Sequence, residues 1–190
     1  MNQIEKAAEI LRLGGIIAYP TETVYGFGAN IFNETAIRRL FEIKQRPLSK
    51  PISVAVANFN MLENIACVFE KDKEILKKLL PGPVTIILPK KEVISDLLTA
   101  RRGLIGIRFP ENKTAREIIE KAGFPITATS ANFSGEEEIT EVRYVKQDVD
   151  YIVDGECKYK RPSTVVDLIN RKILREGVNL EKVKQALKLD

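Results

Sequence analysis

Two hydrophobic periods alternate along the chain. Ile4, Ala7, Ala8 and Leu11 recur on one helical face, Asn2 and Glu5 have the spacing of an N-terminal capping box, and Gly14 and Gly15 stop the segment, so a surface helix comes first. Residues 16–19 form a short apolar run ending at Pro20, which predicts a buried strand leading into the loop TETVYGFG. Asn33 is placed to cap a second helix with the stripe Ala36, Ile37, Leu40 and Phe41, running out near Pro47. The β-branched run 52–57 then predicts a strand.

Residues 60–80 read as helical with a break near 69–72, and PGP at 81–83 ends them before the strand VTIIL. A short helix over 93–98, the strand GLIGIRF and a helix over 113–122 closed by Gly123 follow. PITATSANFSG begins as a strand and ends as a polar loop, and the run EEE at 136–138 reads as an exposed face at the start of a mobile segment. Strands are expected at 150–153 and 163–168, with 173–176 paired to the latter through Asn170 and Arg171, and Asn179 is expected to cap a last helix. The expected architecture is therefore α/β: an open, twisted, mixed sheet of about seven strands with helices on its faces, in one domain spanning 1–190.

Composition narrows the chemistry. The chain has 190 residues, 44% of them hydrophobic, enough for a continuous core without metals or disulfides. It contains no His, which removes imidazole acid/base chemistry and a Ser-His-Asp triad, and its two cysteines, Cys67 and Cys157, lie too far apart to suggest a zinc cluster. A disulfide between them stays open, with free thiols the plainer reading. The formal charge is +4, but residues 158–190 hold nine basic and four acidic residues, a basic end that suits either RNA or solvent. No secretory signal is visible and no apolar run approaches the roughly 18 residues of a membrane span, so a cytoplasmic protein is expected.

Four segments are candidates for chemistry. KQRPLSK carries Lys44, Arg46, Ser49 and Lys50, rigidified by Pro47 and Pro51, and is either an ordinary solvated loop or a clamp for polyphosphate or carboxylate. TATSANFSG, with Ser130 and Asn132, offers short donors and exposed backbone N–H groups suited to an anion, and equally suits a plain Ser/Thr-rich turn. In PTETVYGFG, Thr21 and Thr23 face the same way if extended, and Glu22 is either a structural or solvated acid in a turn or a catalytic one. Arg108 stands inside an apolar strand, where it must be paired with an acid or face a cleft, and Ser163 and Arg175 lie further along. There is no GxxxxGK[ST] motif, which leaves a Walker-type ATPase without support.

Taken in order, PTETVYGFG at 20, KQRPLSKPISV at 44, PGPVTIIL at 81, GIRFP at 106, TSANFSG at 129, STVVD at 163 and the RxG of 175–177 are similar to the YrdC-like family. Members with known activity are threonylcarbamoyl-AMP synthases, so the resemblance implies a twisted mixed α/β fold around a positive cleft. The implied reaction joins L-threonine and bicarbonate or CO₂ into N-carboxythreonine, whose carboxylate attacks the α-phosphorus of ATP, with Mg²⁺ on the leaving pyrophosphate. A tRNA threonylcarbamoyl transferase then uses the product at adenosine 37 of tRNA. The resemblance places Lys44 and Arg46 at the reacting groups and Lys50 on the same positive wall. It places Ser130, Asn132, Ser163 and Arg175 on the nucleotide, and Thr21, Thr23 and Arg108 on threonine.

Two departures accompany it. Residues 111–115 read ENKTA where many relatives have His and Pro, and the chain stops about a dozen residues after the RxG, as expected for a short form without a further C-terminal domain. The competing expectation is a module that holds double-stranded RNA or tRNA in a basic cleft without catalysis. The enzymatic reading requires that Arg46, Arg108 and Asn132 converge on one electropositive cavity.

Overall fold

In the computed structural model, residues 2–133, 135–145 and 148–189 are described; Ser134, Lys146 and Gln147 of the polar loop and the segment after it lie outside them. Helix α1 (Gln3–Arg12) is closed by the expected reciprocal capping box: the Asn2 side chain accepts from Glu5 N at 2.9 Å, and the Glu5 carboxylate accepts from Asn2 N. Its buried face packs on α6 (Lys113–Ala122), which Asn112 caps at one end and Gly123, in the left-handed region, closes at the other.

The strands divide between two sheets rather than one. In the first, β1 (Ile17–Tyr19) pairs antiparallel with β2 (Gly26–Gly28) and parallel with β8 (Tyr151–Ile152), and β2 pairs antiparallel with β7 (Thr129–Ser130). The second is six-stranded. It is centred on β4 (Val84–Pro89) and β5 (Leu104–Arg108), with β9 (Thr164–Asp167) and β10 (Lys172–Arg175) on one side and β3 (Val54–Ala55) and β6 (Ile126–Thr127) on the other. Parallel and antiparallel pairings mix within both sheets.

The ten strands among the described residues exceed the expected seven because several segments are only two or three residues long. Glycines at both ends of β2 hid it inside what reads as a loop, and the 52–57 run contributes only Val54 and Ala55 to pairing. The expected hairpin 163–176 forms, with Arg171 at φ 52° in its turn. Asn179 does precede α7 (Leu180–Leu187), but at φ 64° its side chain makes no capping hydrogen bond, because a left-handed residue does not aim its oxygen at the first turn.

The two sheets meet at Ala128, which separates β6 from β7. Ala128 N donates to Ser53 O at 2.7 Å beside β3, while Ala131 N donates to Tyr25 O at 2.8 Å beside β2, so one short segment stitches both sheets together. The main core lies around Phe27, Leu40, Val54 and Ile86, and a second cluster fills the space under α1 and α6. No helix among the described residues is long and apolar enough to cross a membrane.

Candidate functional site

Beside that seam lies a cavity of about 200 Å³ lined by Thr21, Thr23, Arg46, Arg108, Ser130, Ser163 and Arg175, with Tyr19, Ser53, Thr85 and Glu138 among its other walls. Seven of the ten expected residues thus reach one space from segments scattered along the chain. A larger open groove of about 1170 Å³, lined by Phe32, Leu48 and Val93, shares no residue with it and none of the ten.

Arg46 is delivered by the end of α2 (Glu34–Ile43). Arg46 N donates to Phe41 O and Gln45 N to Glu42 O, both at 2.9 Å, the crossed pair of a Schellman ending, and Gln45 takes the left-handed φ of 48° usually left to glycine. The turn sends Lys44 inward and Arg46 toward the cavity. Arg46 Nε donates to Lys50 O at 3.1 Å and Nη2 to Pro51 O at 2.8 Å, while Nη1 makes no hydrogen bond among the described residues. Burial lowers the Arg46 pKa, so its remaining edge favours an anion. Lys50 contributes this carbonyl; its side chain is exposed and does not line the cavity.

Lys44 is 1% exposed and lies behind the cavity wall. Its Nζ donates to Ser130 O, to Asn132 O at 2.7 Å and to Asn132 Oδ1 at 3.4 Å, and sits 5.6 Å from the Phe27 ring centre. Three N–H groups meet three oxygens, so the ammonium fastens the 130–132 loop. Burial, reinforced by the Arg46 charge, pulls its pKa down to about 7. Asn132 also stands one step back: Ser130 Oγ donates to its Oδ1 at 2.5 Å, and its Nδ2 donates to Glu136 O at 2.6 Å. Arg46 and Arg108 therefore share the cavity, and Asn132 backs the Ser130 hydroxyl that faces it.

Arg108 resolves the cost of a guanidinium in an apolar strand by both expected routes at once. Nη2 donates to Glu22 Oε1, Nη1 donates to Gly82 O at 2.9 Å and Val84 O at 3.1 Å, and Nε makes no hydrogen bond among the described residues. Glu22 is thereby a buried counter-ion, 2% exposed, and not a solvated acid in a turn. Thr21 Oγ1 donates to Val24 O at 2.7 Å, so the 2.8 Å contact with Thr23 Oγ1 has Thr23 as donor. Thr23 in turn accepts from Arg108 Nη2 at 3.4 Å.

Across the cavity, Arg175 Nε and Nη2 donate to Ser163 O at 3.1 and 3.0 Å, and Ser163 Oγ lies 2.8 Å from Thr85 Oγ1. Arg46 and Arg175 are held through Nε and Nη2 by protein oxygens and Arg108 through both Nη atoms; among the described residues, Nη1 of the first two and Nε of Arg108 make no hydrogen bond. Sequence reasoning missed Tyr19, Ser53, Thr85 and Glu138. Glu138 was read as part of an exposed face, yet only Glu136 and Glu137 are exposed and Glu138 turns inward. Cys67 and Cys157 are free thiols, and burial pushes that of Cys157 up to about 11.

Residues 9–177 match the Sua5/YciO/YrdC family, which carries the description "Telomere recombination". The putative threonylcarbamoyl-AMP synthase of Methanocaldococcus jannaschii is 44% identical over 177 residues, covering 90% of this chain and 83% of that one. A crystal structure of Pyrococcus abyssi Sua5 complexed with L-threonine superposes with a TM-score of 0.92 at 37% identity, over 96% of this chain and 56% of the other. Escherichia coli YciO superposes at 0.82 with 31% identity, over 92% and 89%. The chain thus spans little more than half the length of the P. abyssi protein.

Proposed function

The chain belongs to the Sua5/YciO/YrdC family, and from that premise we propose that it is a threonylcarbamoyl-AMP synthase, making threonylcarbamoyl-AMP and pyrophosphate from L-threonine, bicarbonate or CO₂, and ATP. The observation that carries the reading is the trio of arginines around one cavity, each fixed by protein oxygens and each with N–H left unbonded among the described residues.

The chemistry asks little covalent work of the protein. The threonine amine adds to CO₂, losing a proton, and a carbamate oxygen then attacks the α-phosphorus as the bond to the pyrophosphate oxygen breaks. The protein supplies alignment, charge neutralisation and exclusion of water from a labile mixed anhydride, none of which requires His. In this reading the Arg108 Nε edge takes the threonine carboxylate and Thr23 supports it. Arg46 and Arg175 meet the phosphates with their unbonded edges, assisted by the Ser130 and Ser163 hydroxyls. Lys44 acts through the loop it fastens, with Asn132, and Lys50 through the carbonyl that orients Arg46. Thr21 shapes the turn that carries Thr23.

Mg²⁺ fits as a companion of the triphosphate. The described residues hold no group of three or more His, Cys, Asp or Glu able to cage a metal, while Glu138 gives the cavity one carboxylate, the donor set of a cation shared with phosphates. A cation held there by Glu138 and the triphosphate would supply charge neutralisation for the leaving pyrophosphate. The product is an activated acyl donor, to be consumed by a transferase acting on tRNA.

Pyrophosphate release, measured with each standard amino acid and with bicarbonate present or omitted, tests the reading. Release that requires both threonine and bicarbonate is expected. Release with another acceptor reassigns the substrate, and salt-sensitive RNA binding without nucleotide consumption overturns the enzymatic reading.

A further inference from the structure

The cavity is walled by three guanidinium groups, yet Glu138 faces into it, the one carboxylate doing so among the described residues. Its backbone is tied down on both sides. Ile139 O accepts from Tyr25 N at 2.7 Å and the Ile139 side chain packs against the main core, while Glu136 O accepts from Asn132 Nδ2 at 2.6 Å. The residue is therefore held at the cavity wall while its two neighbours in the acidic run remain exposed.

Among the described residues Glu138 forms no ion pair with the arginines beside it. Arg108 is paired with Glu22, Arg46 with the carbonyls of Lys50 and Pro51, and Arg175 with Ser163. Burial lowers the Arg175 pKa, and Glu138 is near enough to offset part of that lowering while Arg108 adds to it. A carboxylate in a site for polyphosphate has a definite sign of effect, whatever positive charge lies around it. It repels bare phosphate oxygens, and it attracts a divalent cation riding on them, directly or through water.

We propose that Glu138 determines which form of the nucleotide the site accepts, selecting a triphosphate complexed to a divalent cation over the bare polyanion. This rests on the nucleotide-binding reading above and adds a specificity residue to it.

The test is calorimetric titration of the full chain and of Glu138→Gln with ATP, once in chelator and once with excess Mg²⁺. Gln keeps the shape of a half-buried side chain and removes only the charge, and a melting curve confirms the fold. The wild type is expected to favour the magnesium complex, and the variant to narrow that preference by about tenfold, the order of one unit charge in a partly screened site. A preference unchanged in Glu138→Gln overturns the proposal while leaving the nucleotide site standing. A wild type that binds ATP in neither form overturns both.

Discussion

Glu22 and Arg108 form a buried ion pair, their side chains 2% and 7% exposed, linking the first sheet's leading loop to a central strand of the second. Both ends are further bonded: Glu22 Oε2 accepts from Asn112 N at 3.4 Å, and Arg108 Nη1 reaches Gly82 and Val84 carbonyls. Removing either partner strands a buried charge, so Glu22→Ala and Arg108→Ala should each cost about 3–5 kcal/mol. The double variant should lose clearly less than the sum, as read by urea denaturation; simple additivity would show that the two side chains act independently.

Gln45 holds a left-handed backbone to separate Lys44 from Arg46. Replacing it with glycine relieves the Cβ clash and should stabilise the protein by about 1 kcal/mol, seen as a shifted urea midpoint at constant slope. A loss of stability would mean that the Gln45 side chain contributes contacts that outweigh the strain.

Lys44 should make anion binding pH-dependent. Its pKa of about 7 in the ligand-free protein rises when an anion reaches the loop it fastens, so binding takes up a proton. Affinity for pyrophosphate should be full below that pH and decline above it, whereas Lys44→Arg, charged throughout, should give a flat profile. The sign for folding is opposite. The unfolded lysine, near 10.5, binds more protons than the folded one between these two values, so this group's share of stability increases as pH rises through that window.

Arg46→Ala and Arg175→Ala remove charged donors from the cavity without emptying the core. Hydrogen bonds to charged groups contribute about 1.5–3 kcal/mol, so adenylate formation should fall at least about tenfold while melting temperatures stay near wild type. Near-normal turnover would take the residue out of the mechanism.

Gly177 is required by close approach. A Cβ there would lie 2.4 Å from Pro162 O and 2.6 Å from the Ser163 carbonyl carbon, so backbone must move. Gly177→Ala should destabilise by about 1–3 kcal/mol and weaken ATP binding as well, because Ser163 both lines the cavity and holds Arg175. Lost stability with unchanged ATP affinity would separate this turn from the site.

Much of the scaffold was legible because its signals are local. Caps at Asn2, Asn33 and Gly123 act within one turn of chain, and the stripe Ala36, Ile37, Leu40 and Phe41 needs only helical spacing to declare its buried face. The two-residue strands were not legible as strands, since such a segment owes its conformation to partners far away; Thr129 and Ser130 pair with Phe27 and Gly26 across about a hundred residues. The division into two sheets at Ala128 follows from those distant pairings.

That a cation in an apolar stretch must find an anion or an acid followed from the sequence alone, because leaving it unpaired carries an energetic cost. Which of the two each one meets was decided only in three dimensions. Arg108 meets Glu22 and keeps only its Nε unbonded among the described residues, Lys44 turns its charge onto the loop and away from the cavity, and Glu138 leaves an exposed acidic run to line a cavity with three arginines. Charge and hydrogen-bonding capacity belong to the residue, but the partner that satisfies them depends on distance and direction, and those exist only once remote segments have packed.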